Sequence, residues 1–61
     1  GPGVNLTGAD LTNADLTGIK SSNIKGKPIN LPDNWKLING YFIGPGVNLT
    51  GADLTNADLT G

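Results

Sequence analysis

The chain has 61 residues and a formal charge of −1, which limits it to one small domain with little length for an independent core. It has no Cys and no His, so no disulfide can supplement that core, and the commonest nucleophile, general base and metal ligands are missing. No apolar run approaches the length of a membrane span, and no signal-peptide pattern stands in these residues.

Gly1-Pro2-Gly3 opens the chain as a turn signal. Three five-residue units follow, Val4–Gly8, Ala9–Asn13 and Ala14–Gly18. Each carries a small or branched apolar residue, then Asn or Asp, Leu, Thr, and finally Gly or Asn. Gly44–Gly61 repeats Gly1–Gly18 without one change, so the chain is one 43-residue repeat and the first 18 residues of the next. This predicts a segment cut from a longer array, with repeat one at 1–43 and the start of repeat two at 44–61. One repeat sets Lys20, Lys25, Lys27 and Lys36 against Asp10, Asp15 and Asp33, a net of +1, so a long array is near neutral.

Between the two copies the phase of five persists in a looser form. Units start at Ile19, Ile24 and Ile29, then, after an inserted Asn34, at Trp35 and Gly40, with Pro45 and Gly46 inserted before Val47. A competing signal lies within this stretch. Asn39-Gly40 between two apolar-rich runs is a strong hairpin turn, and a hairpin would break the phase.

The tandem Ala-Asp-Leu-Thr-Asn and Ala-Asp-Leu-Thr-Gly units resemble the pentapeptide-repeat proteins. The resemblance implies an all-β fold, a right-handed quadrilateral β-solenoid in which four units make one square coil and the first and third residues of each unit point inward. On that basis the chain makes about three coils and the 43-residue repeat makes two. The expected structural core is Leu6, Leu11, Leu16, Leu31, Trp35, Leu37, Phe42, Leu49, Leu54 and Leu59. Stacking coil two on coil one sets Leu6 against Gly26 and then Leu49, Ala14 against Trp35 and then Ala57, and Ser21 against Phe42. Large side chains then face small ones, as a narrow, dense core requires. Among outward positions, Asn5 stacks on Lys25 and then Asn48, Asp10 on Asn30, and Asp15 on Lys36 and then Asp58.

Nothing in the sequence points to catalytic, cofactor-binding or metal residues. The aspartates recur five apart and so fall on different faces, and the threonines form no continuous ladder. Asn5-Leu6-Thr7 and Asn48-Leu49-Thr50 fit the N-glycosylation acceptor pattern, although the repeat unit generates that triplet anyway. Tyr41, beside Lys20, is expected to be an exposed aromatic available for lateral contact.

Fold does not give function. The sequence favours a non-enzymatic structural building block of a filament, extracellular or on the cell surface. Its partner is itself, joined head to tail, with no nucleic acid, membrane span or cofactor. Two other classes compete: an interaction scaffold displaying Pro32–Asn34 and Gly44–Gly46, and a DNA mimic like the gyrase-binding members of the resembled family. The +1 repeat argues against the last.

Overall fold

A computed structural model describes residues 3–60; Gly1 and Pro2 of the first turn signal, and Gly61, lie outside the described residues. The chain is built from turns joined by short extended stretches. The carbonyl of the third residue of a unit accepts the N–H of the first residue of the next. Ala9 donates to Leu6, Ala14 to Leu11, Ile19 to Leu16, Ala52 to Leu49 and Ala57 to Leu54, all at 2.9–3.0 Å. These four-residue turns place the fifth residue of the unit at positive φ at Gly8, Gly18, Gly51 and Asn56, though not at Asn13; φ is +81° at Gly8 and +62° at Asn56. Gly reaches that region without a Cβ clash and Asn tolerates it, which is why those two residues occupy the fifth place.

The first run pairs with the stretch 20 residues later, four units on. Asn5 bridges Lys25 and Asp10 bridges Asn30, both in parallel. Lys25 N–H donates to Val4 O and Leu6 N–H to Lys25 O, each at 2.8 Å; Ile29 N–H to Ala9 O and Leu11 N–H to Asn30 O repeat the pattern one face on. The pairing of Asn5 with Lys25 and of Asp10 with Asn30 is the one the repeat register predicts.

From Pro32 onward the register departs from that expectation. Asn34, the inserted residue, shifts the turn by one place. With φ +69° it occupies the corner of a turn closed by Trp35 N–H on Pro32 O at 3.2 Å. Pro45 and Gly46 form the same device, closed by Val47 N–H on Gly44 O at 3.2 Å. Between them the hairpin prevails. Strand β1 (Lys36–Ile38) pairs antiparallel with β2 (Tyr41–Ile43), in the register Lys36–Ile43, Leu37–Phe42 and Ile38–Tyr41. Asn39 and Gly40 both have positive φ, +52° and +79°, as a two-residue type I′ turn requires. The local turn chemistry of Asn-Gly outweighs the phase of five.

The hairpin has two working faces. Leu37 and Phe42 lie opposite each other, and Phe42 faces the first run, bordering the same cavity as Leu6, Leu11 and Leu16. Ile38 and Ile43 point the other way and border a cavity with Val47, Leu49 and Leu59 of the second run. The ribbon therefore separates the two identical 18-residue runs. The second run instead meets the first at its last corner, where Asn48 N–H donates to Ile19 O and Gly18 N–H to Gly46 O, both at 2.9 Å. The expected columns of Leu49 over Leu6 and Asn48 over Lys25 are displaced by this arrangement.

The core is correspondingly small. Phe42 is 4% exposed and Ile24 8%, and with Pro28 these are the buried residues among the described ones. Of the expected core, Leu6, Leu11, Leu16, Leu31, Trp35, Leu37, Leu49 and Leu54 are half-buried. Leu59 is 52% exposed, and Ile29, expected to point inward, is 70% exposed. Trp35 lies one step beyond the Lys36–Ile43 pair and packs over Gly44, where a Cβ would fall inside the indole ring.

Candidate functional site

The outward faces carry a motif that the sequence displays in every clear unit and that stacking arguments overlook. The second-place Asn or Asp accepts hydrogen bonds from the fourth-place Thr of its own unit. Thr7 N–H donates to Asn5 Oδ1 at 2.9 Å and the Thr7 hydroxyl to the same oxygen at 2.7 Å. Thr12 bonds Asp10 through both groups, and Thr55 bonds Asp53 at 3.0 and 2.6 Å. Thr17, Thr50 and Thr60 donate their N–H to Asp15, Asn48 and Asp58, each at 3.0 Å. A short side chain with an acceptor oxygen two residues before a turn N–H is the Asx turn. The legible signal was the invariant Asn/Asp-Leu-Thr spacing; charge alternation and β-propensity are secondary explanations for those residues.

The same bonds set the electrostatics. The carboxyls of Asp10, Asp53 and Asp58 are held below the usual carboxylate value chiefly by the hydroxyls of Thr12, Thr55 and Thr60, and then by the N–H groups of the same residues. For Asp15 the N–H of Thr17 comes first and its hydroxyl second. The Lys36 charge contributes a smaller lowering at Asp58. Each of these carboxylates thus has one oxygen engaged by the Thr of its own unit. No group of acidic side chains that could hold a metal occurs among the described residues.

The hairpin fastens the second run by side chains. Lys36 Nζ donates to Thr60 O, Asn39 Nδ2 to Thr55 O at 3.1 Å, and the Tyr41 hydroxyl accepts Asp53 N–H at 2.9 Å. Tyr41, expected as an exposed lateral contact, is half-buried and engaged within the chain. Ser21 meets Phe42 as the stacking register predicts, its hydroxyl accepting Phe42 N–H at 3.0 Å. Asn5 and Asn48 are both exposed, each with its Oδ1 on the Thr two residues on.

Open apolar surfaces border each of the two runs. One is a basin of about 250 Å³ lined by Val4, Leu6, Leu11, Leu16 and Ile19, with Ile24 and Phe42 also at its wall. The other, about 370 Å³, is bordered by Ile38, Ile43, Val47, Leu49 and Leu59. Neither gathers groups for chemistry; what they offer is uncovered apolar side chain. Among the described residues no helix is long and apolar enough to cross a membrane.

A scan against protein families matches residues 2–20 and 45–61, more than half of the chain, to pentapeptide repeats in eight copies. The chain belongs to the pentapeptide-repeat family. Searches of curated proteins and of solved structures return no match. For this pentapeptide-repeat chain the family implies a β-solenoid, and the helix-free, turn-built backbone with its parallel bridges agrees with that. Pentapeptide-repeat proteins are generally non-enzymatic, and the family indicates a structural or interaction role.

Proposed function

We propose that this pentapeptide-repeat chain is a structural, non-enzymatic building block of a fibrous assembly. In it a right-handed four-sided solenoid of about three coils per segment continues head to tail, and the partner is the same chain. The observation that carries the reading is the uncovered basin of Val4, Leu6, Leu11 and Leu16. These are the third-place leucines and the first apolar residue of a run, the side chains a solenoid turns inward. Here they border open space at the end of the run, where a further coil would cover them. Ends of this kind need either a cap or a continuation, and contact that joins unlike ends without closing gives a filament. Repetition of the 18-residue run supports the same reading, since identical repeats offer no unique place for a site. A stalk or fibre role places the chain on the cell surface or outside the cell, where the exposed Asn5 and Asn48 would be available as glycan acceptors.

The test is sedimentation and negative-stain electron microscopy of the chain over a rising concentration series. The expected result is concentration-dependent growth into thin filaments. A monodisperse, cooperatively melting monomer at every concentration would overturn the proposal.

A further inference from the structure

The two identical runs differ in what their edges hold. In the first, Val4 O, Leu6 N–H, Ala9 O and Leu11 N–H are taken by Lys25, Ile29 and Asn30 at 2.8–2.9 Å. In the second, the equivalent groups are Val47 O, Leu49 N–H, Ala52 O and Leu54 N–H, and no hydrogen bond to them occurs among the described residues. The opposite edge of the second run is already engaged, through Asn48 N–H on Ile19 O. Side-chain burial differs further along the run: Leu16 is half-buried, whereas its counterpart Leu59 is 52% exposed beside an open apolar pocket; Leu49 and Leu54 are half-buried, as Leu6 and Leu11 are.

We propose that the edge Val47–Leu54 is a vacant seat for the segment Ile24–Leu31 of a second copy of this chain. The inference rests on the self-assembly reading and specifies its joint. The first run is the template, because the same sequence is seen with that segment on it. Charge also fits: Ile24–Leu31 carries Lys25 and Lys27 and no acid, while the second run carries Asp53 and Asp58 and no base. Main-chain bonds and the alternate side chains would set the register. Ile24, the buried residue of the first seat, would cover Val47 and Leu49. In a folded copy the segment already spends these main-chain groups on its own first run. The joint is therefore a strand exchange, leaving Val4–Leu11 of one chain for Val47–Leu54 of another, with the count of hydrogen bonds unchanged.

The experiment is a titration of the labelled full-length chain with an end-blocked peptide of residues 24–31, read by amide hydrogen exchange and by sedimentation. Before peptide, the Leu6 and Leu11 amides are expected to be protected and those of Leu49 and Leu54 not. With peptide, Leu49 and Leu54 should become protected and chain–chain association should fall. A G26A peptide should bind at least about tenfold more weakly, because residue 26 sits at φ +75° and its Cβ would meet the Thr7 backbone, the counterpart of Thr50. Equal binding of the G26A peptide, no new protection at Leu49 and Leu54, or protection without loss of association would each overturn the proposal. So would absence of protection at Leu6 and Leu11 in the free chain, which removes the template. Filaments that persist while the peptide fails to bind would leave the structural role standing and refute only this joint.

Discussion

Gly26 and Gly8 share a backbone conformation but not an environment, and the pair isolates how tightly the second stretch rests on the first. Gly8 has φ +81° and open space where a Cβ would go; Gly26 has φ +75° and a Cβ would fall against the Thr7 hydroxyl, the Asn5 side-chain oxygen and, at 2.8 Å, the Thr7 backbone N. Ala in the left-handed region costs about 1–2 kcal/mol, and Gly8→Ala should cost only that. Gly26→Ala adds the collision. Two side-chain atoms can swing aside, but the backbone N of Thr7 cannot move without loosening the two 2.8 Å bonds between Lys25 and the first run. Losing those at about 1 kcal/mol each brings the expected cost to roughly 3–4 kcal/mol. In a domain of this size the extra ~2 kcal/mol lowers the midpoint by about 8–16 °C relative to Gly8→Ala. Circular dichroism melts of the two variants side by side give the comparison, with exchange at Leu6 as the local readout. Equal melting points would refute the argument, since strain alone would then explain both.

Phe42→Ala should cost about 3–5 kcal/mol in a chemical denaturation series, as the most buried aromatic, while Leu59→Ala should stay within about 0.5 kcal/mol. Gly44→Ala should shift the Trp35 fluorescence maximum to longer wavelength, because the added methyl displaces the indole; overpacking of this kind costs about 1–3 kcal/mol. The aspartates give a pH dependence. With folded-state values below 3.8, the folded chain binds fewer protons than the unfolded one in that range, so their contribution is complete above 3.8 and is lost as pH falls through the lowered values. The melting point should hold from neutral pH to about 5 and drop below 3.8. Asp10→Asn with Asp53→Asn should shallow that drop at no loss near neutrality, since Asn5 and Asn48 already make the same turn bond. A melting point that rises on acidification would contradict this.

The repeat unit was legible wherever one residue's role depends on its own unit or on the unit four places on. The corners at Gly8 and Asn56 follow from residue type, and the pairings of Asn5 with Lys25 and Asp10 with Asn30 follow from counting by five. The rest was hidden for identifiable reasons. At Asn39-Gly40 two local rules conflict, and periodicity alone cannot say that turn chemistry prevails. Once the hairpin forms, its outer face displaces the second run, so Leu49 and Asn48 lose columns that were correct arithmetic on a broken period. Volume matching sets Trp35 against two alanines and gives no hint of its packing over Gly44, across the ribbon. The Asx turns are legible in the Asn/Asp-Leu-Thr spacing, since the acceptor stands two residues before the turn N–H in each clear unit.

The hairpin also bears on the order in which the chain folds. Its strands are separated by two residues, whereas the parallel pairing of Asn5 with Lys25 closes a span of 20. Loop entropy grows as the logarithm of length, so the longer closure is costlier by roughly 2 kcal/mol. A ribbon with a type I′ turn forms in about 1–10 μs, before any distant pairing is established. Replacing Asn39 with Ala should therefore slow refolding, while Gly26→Ala should chiefly accelerate unfolding, a contrast that stopped-flow kinetics on the two variants resolves. Two interchangeable runs give the collapsing chain an ambiguous choice of partner. An early ribbon carrying Phe42 on one side and Lys36 and Tyr41 on the other gives each run its own face: Phe42 borders the first run, and Lys36 and Tyr41 clasp Thr60 and Asp53 of the second. The irregular stretch is thus the address label of an otherwise uniform text.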